Sequence, residues 1–107
     1  MAKVIWGENA ERLYLEHLEY ARLEFGNTTV KRWHYERKQI EWRLERYPTS
    51  YSPESSLSHL TLLYRSCHMM RRRFKLIFFY DEAKDIVRII DIWDTRMNPK
   101  VLVDRIK

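Results

Sequence analysis

The sequence has one cysteine, two glycines and three prolines in 107 residues. A lone cysteine excludes an internal disulfide and every zinc site built on paired cysteines, so Cys67 reads as a free, inert thiol. Gly7 and Gly26 are too few and too far apart for a phosphate-cradling glycine loop, and no Ser/His/Asp arrangement accompanies them. None of the four histidines pairs with another at metal-ligand spacing. Neither a cofactor nor a metal is therefore expected. The scarcity of glycine and proline also argues against a disordered or linker-rich chain. The longest unbroken apolar run, residues 76–80, is far shorter than the roughly 20 residues that span a bilayer. The opening residues do not follow the basic-then-apolar order of a secretory signal, so a cytoplasmic protein with no membrane partner is expected.

What is present describes a globular protein. A hydrophobic fraction of 45% and this length fit one core, read as a single domain over residues 1–107. The formal net charge of +5 favours an anionic partner, either nucleic acid or an acidic protein.

Residues 3–6 are β-prone and end at Gly7. After it, Ala10, Leu13, Tyr14, Leu18, Ala21 and Phe25 recur at helical spacing, which predicts a helix over residues 9–25. Gly26 ends that helix, and Asn27, Thr28 and Thr29 supply capping oxygens for a second over residues 28–47, stopped by Pro48. Val30, Trp33, Ile40, Leu44 and Tyr47 form its core face. Residues 49–58, rich in Ser and Pro, read as an irregular and mobile connection. Three β-prone runs follow at 60–64, 74–80 and 86–93, the last two joined by a polar hairpin loop. Asn98 and Pro99 look like the start of a short helix over residues 100–106. The order β-α-α-β-β-β predicts an α+β fold, with a helical hairpin packed on one face of a mainly antiparallel sheet.

This order, together with several local strings, resembles the RelE/ParE superfamily of toxins. The strings are Trp6 with Ala10 and Leu13, Leu44 with Pro48, Tyr64-Arg65, the basic-aromatic stretch 73–80, and residues 89–99, which look like the family's fourth strand and its Arg96-Met97-Asn98-Pro99 exit. The resemblance implies the toxin of a type II toxin–antitoxin system, neutralised by a cognate antitoxin. It leaves two activities open. RelE-like members cut mRNA on the ribosome, whereas ParE-like members block DNA gyrase without a known catalytic side chain. An inactive member that only binds its antitoxin is a third possibility.

Cleavage of RNA through its 2′-OH needs a base, cations on the phosphate and an acid for the leaving oxygen. By resemblance, Lys75 stands where several RNases carry Arg, and Asp94 where a His often stands. Lys75 cannot form the bidentate fork of Arg, and Arg96 beside Asp94 lowers its basicity. Arg65, Arg73 and Arg96 complete the candidates, as phosphate contacts. His17 lies on the core face of the first helix and reads as a hydrogen-bonded core histidine, with His34 at the border of the second helix's core face.

Two basic surfaces are expected. Strand alternation sets Arg71, Arg73 and Lys75 on one face, against Phe74, Leu76, Phe78 and Tyr80 on the core face. The other face of the sheet then reads as open and basic. On the second helix, Lys31, Arg32, Tyr35, Lys38, Gln39, Trp42, Arg43 and Arg46 lie opposite the core face. Within it, Tyr35, Lys38, Trp42 and Arg46 form the candidate partner-binding stripe, with residues 49–58 as the alternative cover for Trp42. The two lost RNase positions point to gyrase binding first, and to cleavage of ribosome-bound mRNA as the alternative.

Overall fold

The computed structural model describes residues 1–106. Its elements are β1 (Lys3–Trp6), α1 (Glu8–Phe25), α2 (Asn27–Arg46), a 3-10 turn (Ser55–Leu57), β2 (Tyr64–Met69), β3 (Phe74–Asp81), β4 (Ile86–Asp94) and α3 (Pro99–Ile106). The sheet order is β1-β4-β3-β2, antiparallel except for the parallel β1–β4 pair. The predicted α+β order and the helical hairpin are both present.

Gly7 lets α1 start hard against the sheet. Its N–H donates to the Ile89 carbonyl at 2.7 Å, and a Cβ there would sit 3.1 Å from that oxygen. Ala10, Tyr14, Leu18 and Ala21 then bury one face of α1, and Trp33, Ile40 and Leu44 one face of α2. Between the helices Gly26 adopts φ 87°, a conformation that favours glycine. Two helix-end expectations are corrected. Asn27 is already helical and no side chain caps α2, because Gly26 takes the N-cap position. Phe25 and Tyr47, assigned to the core by periodicity, are exposed, because both fall at helix ends beyond the sheet's cover.

The expected strand at 60–64 is also corrected. Leu57 and Leu60 are drawn into a small apolar cluster, leaving Leu62 and Leu63 exposed in an irregular stretch before β2 begins at Tyr64. Tertiary packing thus overrides local β propensity. The connection before it is tied down: the Glu54 N–H donates to the Tyr64 carbonyl, and Pro53 bridges Arg65.

Phe74, Leu76 and Phe78 face the helices as alternation predicts. Their opposite face is not the open basic surface expected. Ile77 and Trp93 are buried there against Leu57 of the 3-10 turn and Leu102 of α3. Arg71 and Arg73 belong to the β2–β3 turn and not to the strand. A register shift, with Ile77 opposite Asp91 but Phe78 opposite Ile89, leaves Ile90 as an extra residue in β4. Such a bulge reverses which face the following side chains take. Asp91 and Trp93 consequently turn toward α3, where Arg105 donates to Asp91 Oδ1 at 2.6 Å.

Candidate functional site

The five candidate catalytic residues do not converge. Lys75 pairs with Trp93 in register and Asp94 with Phe74, so the two side chains stand on opposite faces of the sheet. One active site cannot hold both.

Lys75 lines a shallow cavity of about 530 Å³ with Glu54, Ser66, His68 and Arg72. Its Nζ donates to Glu54 Oε1 at 2.8 Å, and Glu54 is only 5% exposed. Burial alone would raise the Glu54 pKa, but hydrogen bonds from Lys75, Ser56 and Ser66 hold it down at about 2. The Lys75 charge is thereby committed to an internal partner. His68, opposite Lys75 in register, is exposed. Partial burial first, then the Arg72 and Lys75 charges, lower its pKa, so the imidazole is neutral at pH 7 and able to accept a proton. Glu54, Ser66, His68 and Arg72 all escaped the sequence reading. Ser66 and His68 share a face by period two, but only the strand register shows that Lys75 joins them.

Asp94 is chelated by its neighbour. Arg96 approaches it with Nε at 3.1 Å and Nη2 at 2.9 Å, and the Arg96 backbone N–H donates at 2.9 Å. These bonds, the Arg96 side chain foremost, lower the Asp94 pKa to about 2. A carboxylate that far below neutrality is an ineffective base. Arg65 is spent on the loop, donating to the Tyr51 carbonyl at 2.7 Å.

Arg73 sits beside Asp94 at the edge of a second cleft, in the turn that carries Arg71 and Arg72. Met70, Arg71 and Arg72 have φ of 56°, 58° and 67°. Left-handed non-glycine residues cost about 1 kcal/mol or more each, so the surroundings must hold this turn. Glu36 of α2 accepts from the Met70 N–H at 2.7 Å, the Met70 side chain is buried, and Thr95 Oγ1 donates to the Arg73 carbonyl at 2.9 Å. Among the described residues, Arg71, Arg72 and Arg73 form no ion pair. His17 is half-buried at the cleft floor, but stacked on Phe74 with centroids 4.2 Å apart, which replaces the hydrogen-bonded role expected for it.

The α2 stripe is uncovered. Tyr35 is 66% and Trp42 51% exposed, with Lys38 exposed between them. Residues 49–58 do not shield Trp42; instead Tyr51 packs under the Arg43 guanidinium at 3.8 Å. The Arg46 guanidinium lies 4.3 Å from the Trp42 ring centroid, and Tyr47 meets that ring edge-on. Because Trp42 contributes little to the core, Trp42→Ala is expected to change unfolding free energy by less than about 0.5 kcal/mol, measured by urea denaturation. A larger loss would place Trp42 in the fold and not in an interface.

No family model matches the chain in sequence. None of the curated proteins matches it either. Among solved structures, the crystal structure of the isolated E. coli RelE toxin aligns with it over 100% of both chains, with a TM-score of 0.55 and 15% identity. At that identity the likeness speaks to architecture alone, and it agrees with the element order built up above: the chain has a RelE-like fold.

Proposed function

We propose that this chain is the growth-arresting toxin of a toxin–antitoxin pair, acting in the cytoplasm and neutralised by a cognate antitoxin, and that it works ParE-like, by binding and inhibiting DNA gyrase. The fold shared with the E. coli RelE toxin supports the toxin reading. The observation that carries the binding mode is the exposed Tyr35–Trp42–Arg46 stripe. Tyr, Trp and Arg dominate binding hot spots, and a free monomer gains nothing by exposing two such rings. The chemistry of the two RNase positions supports the same choice, since Lys75 and Asp94 are both neutralised by internal partners.

A second reading, RelE-like cleavage of mRNA on the ribosome, is favoured by one observation. His68 offers a neutral imidazole beside Arg72 and Lys75, a base next to cations. The two readings separate in one set of assays. Purified protein is expected to inhibit gyrase supercoiling and to leave ribosome-bound mRNA intact. Trp42→Ala is expected to weaken inhibition about 30-fold, the equivalent of about 2 kcal/mol, whereas His68→Ala and Asp94→Ala leave it unchanged. Cuts in ribosome-bound mRNA that disappear with His68→Ala would install the second reading. Unaltered host growth on expression of the chain alone would remove both.

A further inference from the structure

The cleft beside Arg73 has a composition that neither activity uses. It encloses about 560 Å³, within the range of roughly 300–1,000 Å³ typical of ligand clefts. Its floor is apolar: Trp33, Met70 and Phe74 are buried there, with His17 stacked on Phe74. One rim comes from the end of α1, where Tyr20 is 53% and Phe25 58% exposed. Exposed Leu23 lies three residues from Tyr20, one helical turn along, and extends the apolar rim outward. The other rim is Arg71 and Arg73, which have no ion-pair partner among the described residues. Among the described residues the only carboxylate lining the cleft, Asp94, is already chelated by Arg96.

We infer that this cleft is a docking site for an acidic peptide segment of a partner protein, whose apolar anchor enters between Tyr20, Phe25 and Trp33 while an adjacent carboxylate pairs with Arg71 and Arg73. Charge complementarity selects this occupant. Two unpaired guanidinium groups at the mouth of a hydrophobic cleft form bidentate bonds with a carboxylate. A nucleic-acid strand fits less well. Glu24 lies one helical turn beyond Tyr20, so a polyanion crossing the cleft would meet like charge on the α1 rim, although Glu16, one turn before Tyr20, is already paired with Arg12. A single acidic group facing the arginine rim avoids that repulsion. The rigid turn favours the same use, since Glu36 and Thr95 hold the arginines in place before a partner arrives. This assignment holds whether or not the toxin reading does.

The test uses the isotope-labelled full chain and three probes in NMR titrations: the blocked hexapeptide Ser-Gly-Leu-Trp-Asp-Ser, with one carboxylate beside the apolar anchor, its counterpart Ser-Gly-Leu-Trp-Lys-Ser, and hexauridylate. The acidic peptide is expected to shift the Trp33 indole and Arg71 amide resonances saturably, with Kd below about 1 mM. The Arg71→Ala/Arg73→Ala double variant is expected to weaken it at least tenfold, and Phe25→Asp by a similar factor. All of these positions are exposed, so unchanged thermal melts will confirm that the variants remain folded. Absence of a saturable shift from the acidic peptide up to about 5 mM would overturn the proposal. So would tighter binding of either other probe, or an acidic-peptide affinity indifferent to both variants.

Discussion

Lys75→Met is expected to destabilise the protein by about 3 kcal/mol at pH 7, because it strands a carboxylate that is almost wholly buried. The range for breaking a buried pair is about 3–5 kcal/mol; the lower end applies because Lys75 is itself partly solvated. Ser56 and Ser66 continue to donate to Glu54, but neither carries charge. The pH dependence gives the effect its signature. In the native protein Glu54 titrates at about 2, below its ordinary 4.5, so its stabilising contribution is complete above pH 4.5 and is lost as pH falls toward 2. Without Lys75 the carboxyl pKa rises and the group takes up a proton earlier on acidification. The gap between variant and native protein should therefore narrow between pH 7 and pH 3, as read by urea denaturation. A gap that stays constant with pH would mean that the loss is one of packing and not of charge.

Arg105→Ala is expected to have a comparable effect, about 3 kcal/mol at pH 7, two residues along the sheet, where Asp91 stands opposite Ile77. Asp91 is buried beneath α3, and Arg105 is its charged partner. Burial raises the Asp91 pKa, and the Arg105 charge pulls it only part of the way back. A carboxyl whose folded pKa is raised above its ordinary 3.8 stabilises the fold below that value, and the contribution is lost as pH rises through the folded pKa. Removing Arg105 pushes that pKa higher still, so the deficit should grow from pH 4 to pH 7, the same direction as for Lys75→Met, since each variant strands a carboxylate that costs more the more fully it is ionised. Arg105→Lys should recover part of the loss, since it restores charge without the planar donor geometry. Equal stability of Arg105→Ala and native protein at pH 7 would show that α3 is held by the apolar contacts of Leu102, Val103 and Ile106.

Helical and strand periodicity was enough to place the order of elements, because each long element buries one regular face: Ala10, Tyr14, Leu18 and Ala21 on α1, and Phe74, Leu76 and Phe78 on β3. The Asp94–Arg96 contact was legible for the same reason, being local in the chain. What was not legible depends on pairing. The extra residue at Ile90 carries no composition signal, yet it decides that Asp91 and Trp93 face α3. Glu54 lies in a stretch without periodicity and meets Lys75 only because β2 and β3 bring Ser66 beside it. The open basic face failed as an expectation because the terminal helix was assigned no surface to cover, and Leu102 covers that one.

The parallel pairing of the first strand with the last has a consequence for how the chain reaches its fold. Lys3 aligns with Ile86 and Trp6 with Ile89, so the N-terminal strand has no partner until nearly the whole polypeptide exists. The Gly7 N–H waits on the same strand for its acceptor, Ile89. Non-local closure of this kind slows folding, because the entropy of a long loop is lost before any contact compensates it. The helical hairpin can form early from local contacts, but α1 lacks the strand it packs on, β4, until late. A nascent chain cut short before Ile86 would therefore expose the buried face of α1, and only the finished chain can present the arginine turn and the α2 stripe on a stable scaffold.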